Sequence, residues 1–128
     1  MSGPSVSPAD RLRYAPGPRF ALLVMDRIGT FKTFITRSPA DPFPRYGLAM
    51  EYKGSGALDE AWLTFEELLT KFPDYVPTYL MAGQTLLALG RTEKAMDVLR
   101  SGIEVAAKKG DLHAKKELEA ALAELAPT

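Results

Sequence analysis

The side chains of this sequence that could do chemistry are few. His113 is the only histidine and there is no cysteine. One chain therefore offers no thiolate nucleophile, no disulfide and no histidine pair for a metal. His113 stands among Lys108, Lys109, Lys115 and Lys116. That grouping reads as a solvated helix end, with a phosphate or an acidic partner as its functional alternative. Ser5, Ser7 and Ser38 have no His/Asp framework around them. The "GSG" at 54–56 resembles neither a phosphate loop with its lysine nor a nucleophile elbow. Asp59, Glu60, Glu66 and Glu67 are spread around one segment, as the solvated face of a helix and as dipole compensation at its start. The expectation is a chain with no catalytic residues, no metal site and no cofactor: not an enzyme.

Composition narrows the class further. The chain has 128 residues, 46% of them hydrophobic and 25% charged, which suits a single globular domain. Sixteen basic and 16 acidic groups cancel, so the basic footprint of a nucleic-acid binder is missing. Zero net charge also weakens the repulsion that keeps copies apart. The apolar run "FALLVM", Phe20 to Met25, is too short to span a membrane and lacks a proper cleavage region. A cytoplasmic protein without nucleic-acid or membrane partners is expected.

What would position any functional group is a series of helices. Residues 1–24, rich in proline, read as a flexible or extended leader. Met25, where the periodic sequence begins, stands as an alternative translation start. Apolar residues at helical spacing then predict helices near 26–37, 42–53, 58–71, 76–89, 92–109 and 111–125. Asp41 is a candidate N-cap before Pro42, Gly90 and Gly110 end two helices, and no segment alternates as a strand would. The fold class is all-α.

Shifting the sequence by 34 residues aligns Ile28 with Trp62 and Met96, Phe31 with Phe65 and Leu99, Ile35 with Leu69 and Ile103, Gly56 with Gly90 and Ala61 with Ala95. Repeat one contains Leu48, Ala49, Tyr52, Ala61, Phe65 and Pro73. Repeat two contains Tyr79, Ala82, Gly83, Leu86, Ala95 and Leu99. This pattern resembles the tetratricopeptide repeat (TPR) family, whose signature is W-x2-L-G-x2-Y, A-x3-F and a final P. Arg45 stands where the first repeat should have its tryptophan, and the second repeat has no terminal proline. The resemblance implies a short right-handed solenoid of antiparallel helix pairs: a half-repeat at 25–39, full repeats at 42–75 and 76–109, and a capping helix at 111–125. It also explains the otherwise costly glycine within a helix. Gly83 and Ala49 are the small sites where paired helices approach closely, with Ala61 and Ala95 facing them.

In such a solenoid the first helices of successive repeats line a concave face. Once the core stripe is set aside, that face keeps Phe43, Tyr46, Met50 and Lys53 from one repeat and Leu80, Gln84 and Leu87 from the next. The capping helix adds Ala114 and Leu118. Some TPR domains hold a C-terminal carboxylate through lysine and asparagine, but Tyr46 and Met50 occupy the corresponding places. The surface instead suits a short apolar peptide or helix of a protein partner. The expected function is a non-enzymatic protein-interaction adaptor. The alternative is a homodimer, or a groove filled by the chain itself, through the same apolar surface.

Overall fold

The computed structural model describes residues 17–125. They form six α-helices: α1 Pro18–Arg37, α2 Pro42–Gly54, α3 Leu58–Lys71, α4 Pro77–Ala88, α5 Thr92–Lys109 and α6 Leu112–Leu125. No strand occurs among the described residues. Each helix packs on the next in the chain, and α2 with α4, and α4 with α6, also meet. Consecutive antiparallel pairs thus stack into a short solenoid with α2, α4 and α6 side by side on one face.

Local chemistry sets the helix ends. The Asp41 carboxylate accepts from the Phe43 backbone N–H at 3.0 Å, and Pro42 occupies the first helical turn, where its missing N–H costs nothing. Helices α2, α4 and α5 close alike. Gly56, Gly90 and Gly110 take φ of 83°, 77° and 71°. At each, the glycine N–H reaches the carbonyl three residues back: Lys53, Leu87 and Ala107. The following N–H reaches back five residues, to Tyr52, Leu86 and Ala106. This paired closure needs the left-handed conformation that glycine adopts without strain.

The core lies between the layers. Ala49, Ala61, Trp62, Phe65, Leu68, Ala82, Leu86 and Ala95 form one buried cluster, and Val76, Tyr79, Leu99, Ala106 and Leu118 a second. The small sites expected from the repeat are all fully or nearly fully buried. Gly83 lies against Leu99. Trp62 is buried, with the Lys94 ammonium 4.8 Å from its ring centroid.

Arg45, in the tryptophan position of the first repeat, is buried as well. Its Nε donates to Glu67 at 3.0 Å, an Nη donates to the Pro39 carbonyl at 2.8 Å, and the guanidinium lies 5.6 Å from the Phe72 ring centroid. An arginine held by a carboxylate, a carbonyl and an aromatic face replaces the indole as an anchor joining α2 to α3 and to the turn between α1 and α2.

One boundary differs from expectation. The first helix begins at Pro18, not near residue 26, so residues 18–24 of the expected leader are helical. Pro18 sits at the first helical position with φ already suitable, and no proline or glycine follows until Gly29. Residues 1–16 of that leader lie outside the described residues.

Candidate functional site

Where α2, α4 and α6 meet, the concave face holds a cleft of about 240 Å³. Tyr46 comes from α2, Leu80 and Met81 from α4, and Val76 and Pro77 from its start. Ala114, Glu117 and Leu118 come from α6, with Asp111 just before it. The lining is mostly apolar and carries two carboxylates, Asp111 and Glu117.

Each wall is fixed from behind. Tyr46 meets Phe65 and Tyr75 edge-on, with ring centroids 6.3 Å and 5.7 Å away. Burial, with a smaller contribution from Tyr75, pushes its hydroxyl above the ordinary tyrosine value, so it stays a neutral donor. Leu80 is half-buried against the second core cluster. Asp111 caps α6 by accepting from the Ala114 N–H at 3.0 Å. Glu117 pairs with His113 at 2.6 Å, one helical turn back. His113 is thus a surface partner of a carboxylate. Among the described residues no group of three or more His, Asp or Glu side chains is placed to hold a metal ion.

Of the residues expected on this face, Tyr46 and Leu80 come together in the cleft. Met50 and Leu87 are half-buried and pack on the first core cluster, so much of their apolar surface is already used. Lys53 is half-buried near the end of α2, Gln84 is exposed, and Phe43 is exposed at the start of α2. None of these five lines the cleft. Ala114 lines it, and Leu118, expected on the surface, is 1% exposed and serves as core as well as floor. Val76, Pro77, Met81, Asp111 and Glu117 were not singled out by the sequence. Their only signal there is proximity to the helix starts at 77 and 112, where repeats of this geometry bring successive first helices together.

The tetratricopeptide repeat family matches residues 52–119. The solution structure of a tetratricopeptide repeat domain protein from Salinibacter ruber is 40% identical. It superposes with a TM-score of 0.65 over 68% of this chain and 88% of that one. A crystal structure of a tetratricopeptide repeat domain protein from the same organism is also 40% identical, with a TM-score of 0.64 over 66% of this chain and 94% of that one. No curated protein matches. With the 34-residue period, the glycine closures and the stacked antiparallel pairs, these likenesses establish that the chain belongs to the tetratricopeptide repeat family.

Proposed function

We propose that the chain is a non-enzymatic adaptor that binds a short apolar segment of a protein partner on its concave face. Family membership supports a protein-interaction or scaffold role. The observation that carries the finer reading is the cleft between α2, α4 and α6, with its mostly apolar lining and the neutral Tyr46 hydroxyl on its wall. A large apolar side chain on a peptide buries its surface against Leu80, Met81 and Val76, while Tyr46 can hydrogen-bond to the peptide backbone. Asp111 and Glu117 in the lining favour a lysine or arginine flanking that apolar residue. So small a site supports micromolar rather than nanomolar binding, because the ordering of a flexible ligand offsets much of the gain.

A displayed peptide library, panned on the purified chain, tests the reading. Selected peptides are expected to share a large apolar residue next to a basic one. Their affinity should fall at least tenfold on Leu80→Glu at a temperature where the variant keeps its helicity, even where lost packing on the second core cluster lowers its melting temperature. Peptides that bind this variant as tightly as the wild type, or a library that yields no binders, overturn the proposal.

A further inference from the structure

The concave cleft does not end at Asp111. Val76, Pro77 and Asp111 also line a second hollow of about 340 Å³, to which Asp74, Tyr75 and Lys109 contribute. Those last three in turn line a third hollow of about 290 Å³, completed by Pro42, Lys71, Phe72 and Pro73. Through these shared walls the three spaces form one groove. It runs along the edge of the solenoid where α2, α4 and α6 start and α3 and α5 end.

Two tyrosines stand along it. Tyr46 lines the first space and Tyr75 the other two, with their rings edge-on and 5.7 Å apart at the centroids. Burial raises both hydroxyls above the ordinary tyrosine value, with a smaller contribution at Tyr75 from the Asp41 carboxylate, so both stay protonated donors. The buried Tyr79 donates its hydroxyl to the Pro73 carbonyl. Among the described residues, Tyr46 and Tyr75 have no such partner. The charge of the groove is one-sided as well. Asp74, Asp111 and Glu117 line it. Against them stand Lys71, already paired with Glu67 at 3.1 Å, and Lys109, which donates to the Asp74 carbonyl at 3.1 Å. Carboxylates are in excess, which calls for a basic residue in the occupant.

Given the apolar-segment reading of the cleft, on which this rests, we infer that the bound segment is extended in the polyproline II conformation and lies along the groove, with a proline three residues from its apolar anchor and an arginine or lysine beside them. Polyproline II has no internal hydrogen bonds, so its carbonyls are free to accept from the two hydroxyls. Each proline also removes an N–H that would need an acceptor. Residues three apart in this conformation share one side and stand about 9 Å from each other. The cleft lies between α4 and α6, and the third hollow between the starts of α2 and α4. One helix spacing, about 8–10 Å, therefore separates them. With the anchor against Leu80 and Met81, the proline ring three residues away reaches Phe72, Pro73 and Tyr75.

Two other occupants fit less well. The carbonyls of a bound helix are bonded within it, so they leave both hydroxyls unmatched, and a helix with its side chains is about 10–12 Å wide. A β-strand draws its affinity from an exposed sheet edge, and no strand occurs among the described residues. A segment already held in polyproline II also loses less freedom on binding, which matters for so small a site.

Fluorescence anisotropy of the full chain with two labelled eight-residue peptides tests the inference. Each has a central leucine and arginine, flanked on both sides by three prolines in one peptide and by three alanines in the other. The alanine peptide is free to coil into a helix. The proline peptide is expected to bind at least tenfold more tightly. Tyr75→Phe keeps the ring against Tyr46 and removes a hydroxyl without a partner in the free chain. It should weaken the proline peptide at least threefold and leave the melting temperature unchanged. Equal or tighter binding of the alanine peptide overturns the inference. A proline preference that survives Tyr75→Phe in full also overturns it, because the prolines then act by stiffness alone. Leu80→Glu separates the two readings. If it weakens both peptides while proline gives no advantage, the cleft function stands and the extended ligand falls. If neither peptide binds the wild type, or neither responds to Leu80→Glu, both fall together.

Discussion

Gly83 in α4 is pressed against Leu99 in α5: a β-carbon on Gly83 would stand 2.8 Å from Leu99 Cδ2 and 3.0 Å from its Cγ. Leu99 is itself 1% exposed, so it has little room to retreat. Two effects oppose each other at this position. Alanine would gain about 0.8–1.0 kcal/mol in helix propensity, but the leucine must move. Leucine gains nearly the same propensity but needs far more space, so for it the steric cost dominates. Gly83→Leu is expected to destabilise by about 1–3 kcal/mol, read as a lowered urea midpoint. Adding Leu99→Ala to that variant should recover part of the loss, since the two substitutions share one space. Independent, additive effects would show that the two residues are not in contact.

Gly90 and Gly54 separate two uses of glycine. Gly90 has φ of 77° with nothing within 4 Å of an added β-carbon, so its constraint is conformational and not steric. Gly90→Ala should cost about 1–2 kcal/mol, the strain of a left-handed residue with a side chain. Gly54 is the last residue of α2, with ordinary helical φ and equally open surroundings. Gly54→Ala should stabilise by about 0.4–1 kcal/mol through the unfolded chain. Both can be followed by the fluorescence of Trp62, the only tryptophan and a buried one. Equal effects at the two sites would contradict the assignment.

The repeat made much of this fold legible. Gly56 and Gly90, Ala61 and Ala95, and Phe65 and Leu99 hold equivalent places because each pair answers the same local demand: a left-handed closure, a close helix approach, a bulky core contact. The start of α1 was less legible. The proline-rich stretch reads as one leader, yet Pro18 is compatible with the first helical position, so the same residue type that breaks a helix interior opens this one. The cleft was legible only in part. Tyr46 and Leu80 follow from the repeat, but Asp111, Glu117 and Met81 meet through the packing of α4 on α6. The rotation of α6 about its axis is not set by the 34-residue period. Leu118 is buried, whereas Gln84, 34 residues earlier, is exposed.

Thr78 presents the reverse of the glycine sites. Its side chain is fully buried and its hydroxyl has no hydrogen-bond partner. The buried Thr64 and Thr85 donate to carbonyls four residues back, at 2.8 Å each. Thr78 is the second residue of α4, so the carbonyl four back belongs to Asp74, outside the helix. An unsatisfied buried hydroxyl costs about 1–3 kcal/mol. Thr78→Val keeps the shape and removes the polar atom, and is expected to leave stability unchanged or raise it by up to about 1 kcal/mol. A clear loss of stability in thermal melts would mean that the hydroxyl is satisfied after all.

The Arg45–Glu67 pair makes stability depend on acid. Glu67 accepts from Arg45 at 3.0 Å and pairs with Lys71 at 3.1 Å. Burial pushes its carboxyl up, but the hydrogen bonds from Arg45 and Lys71, with their charges, outweigh burial and hold it below its ordinary 4.5. The folded chain therefore binds this proton less readily than the unfolded chain, so the contribution is complete above the ordinary value. It is lost as the pH falls through the lowered folded value. Protonation at that point leaves the buried Arg45 with the Pro39 carbonyl and the Phe72 ring but no anion. Urea titrations of the wild type and of Glu67→Gln, repeated across the acid range, isolate the effect. The wild type should be the more stable by a constant margin from neutral pH down to about 4.5, the ordinary value of this group. Below that the margin should shrink until the curves converge. Because Glu67 is partly exposed, added salt should reduce the margin without removing it. A margin that stays constant to the lowest pH would show that Glu67 is not the group whose titration is felt, and that Arg45 is held by its carbonyl and aromatic partners alone.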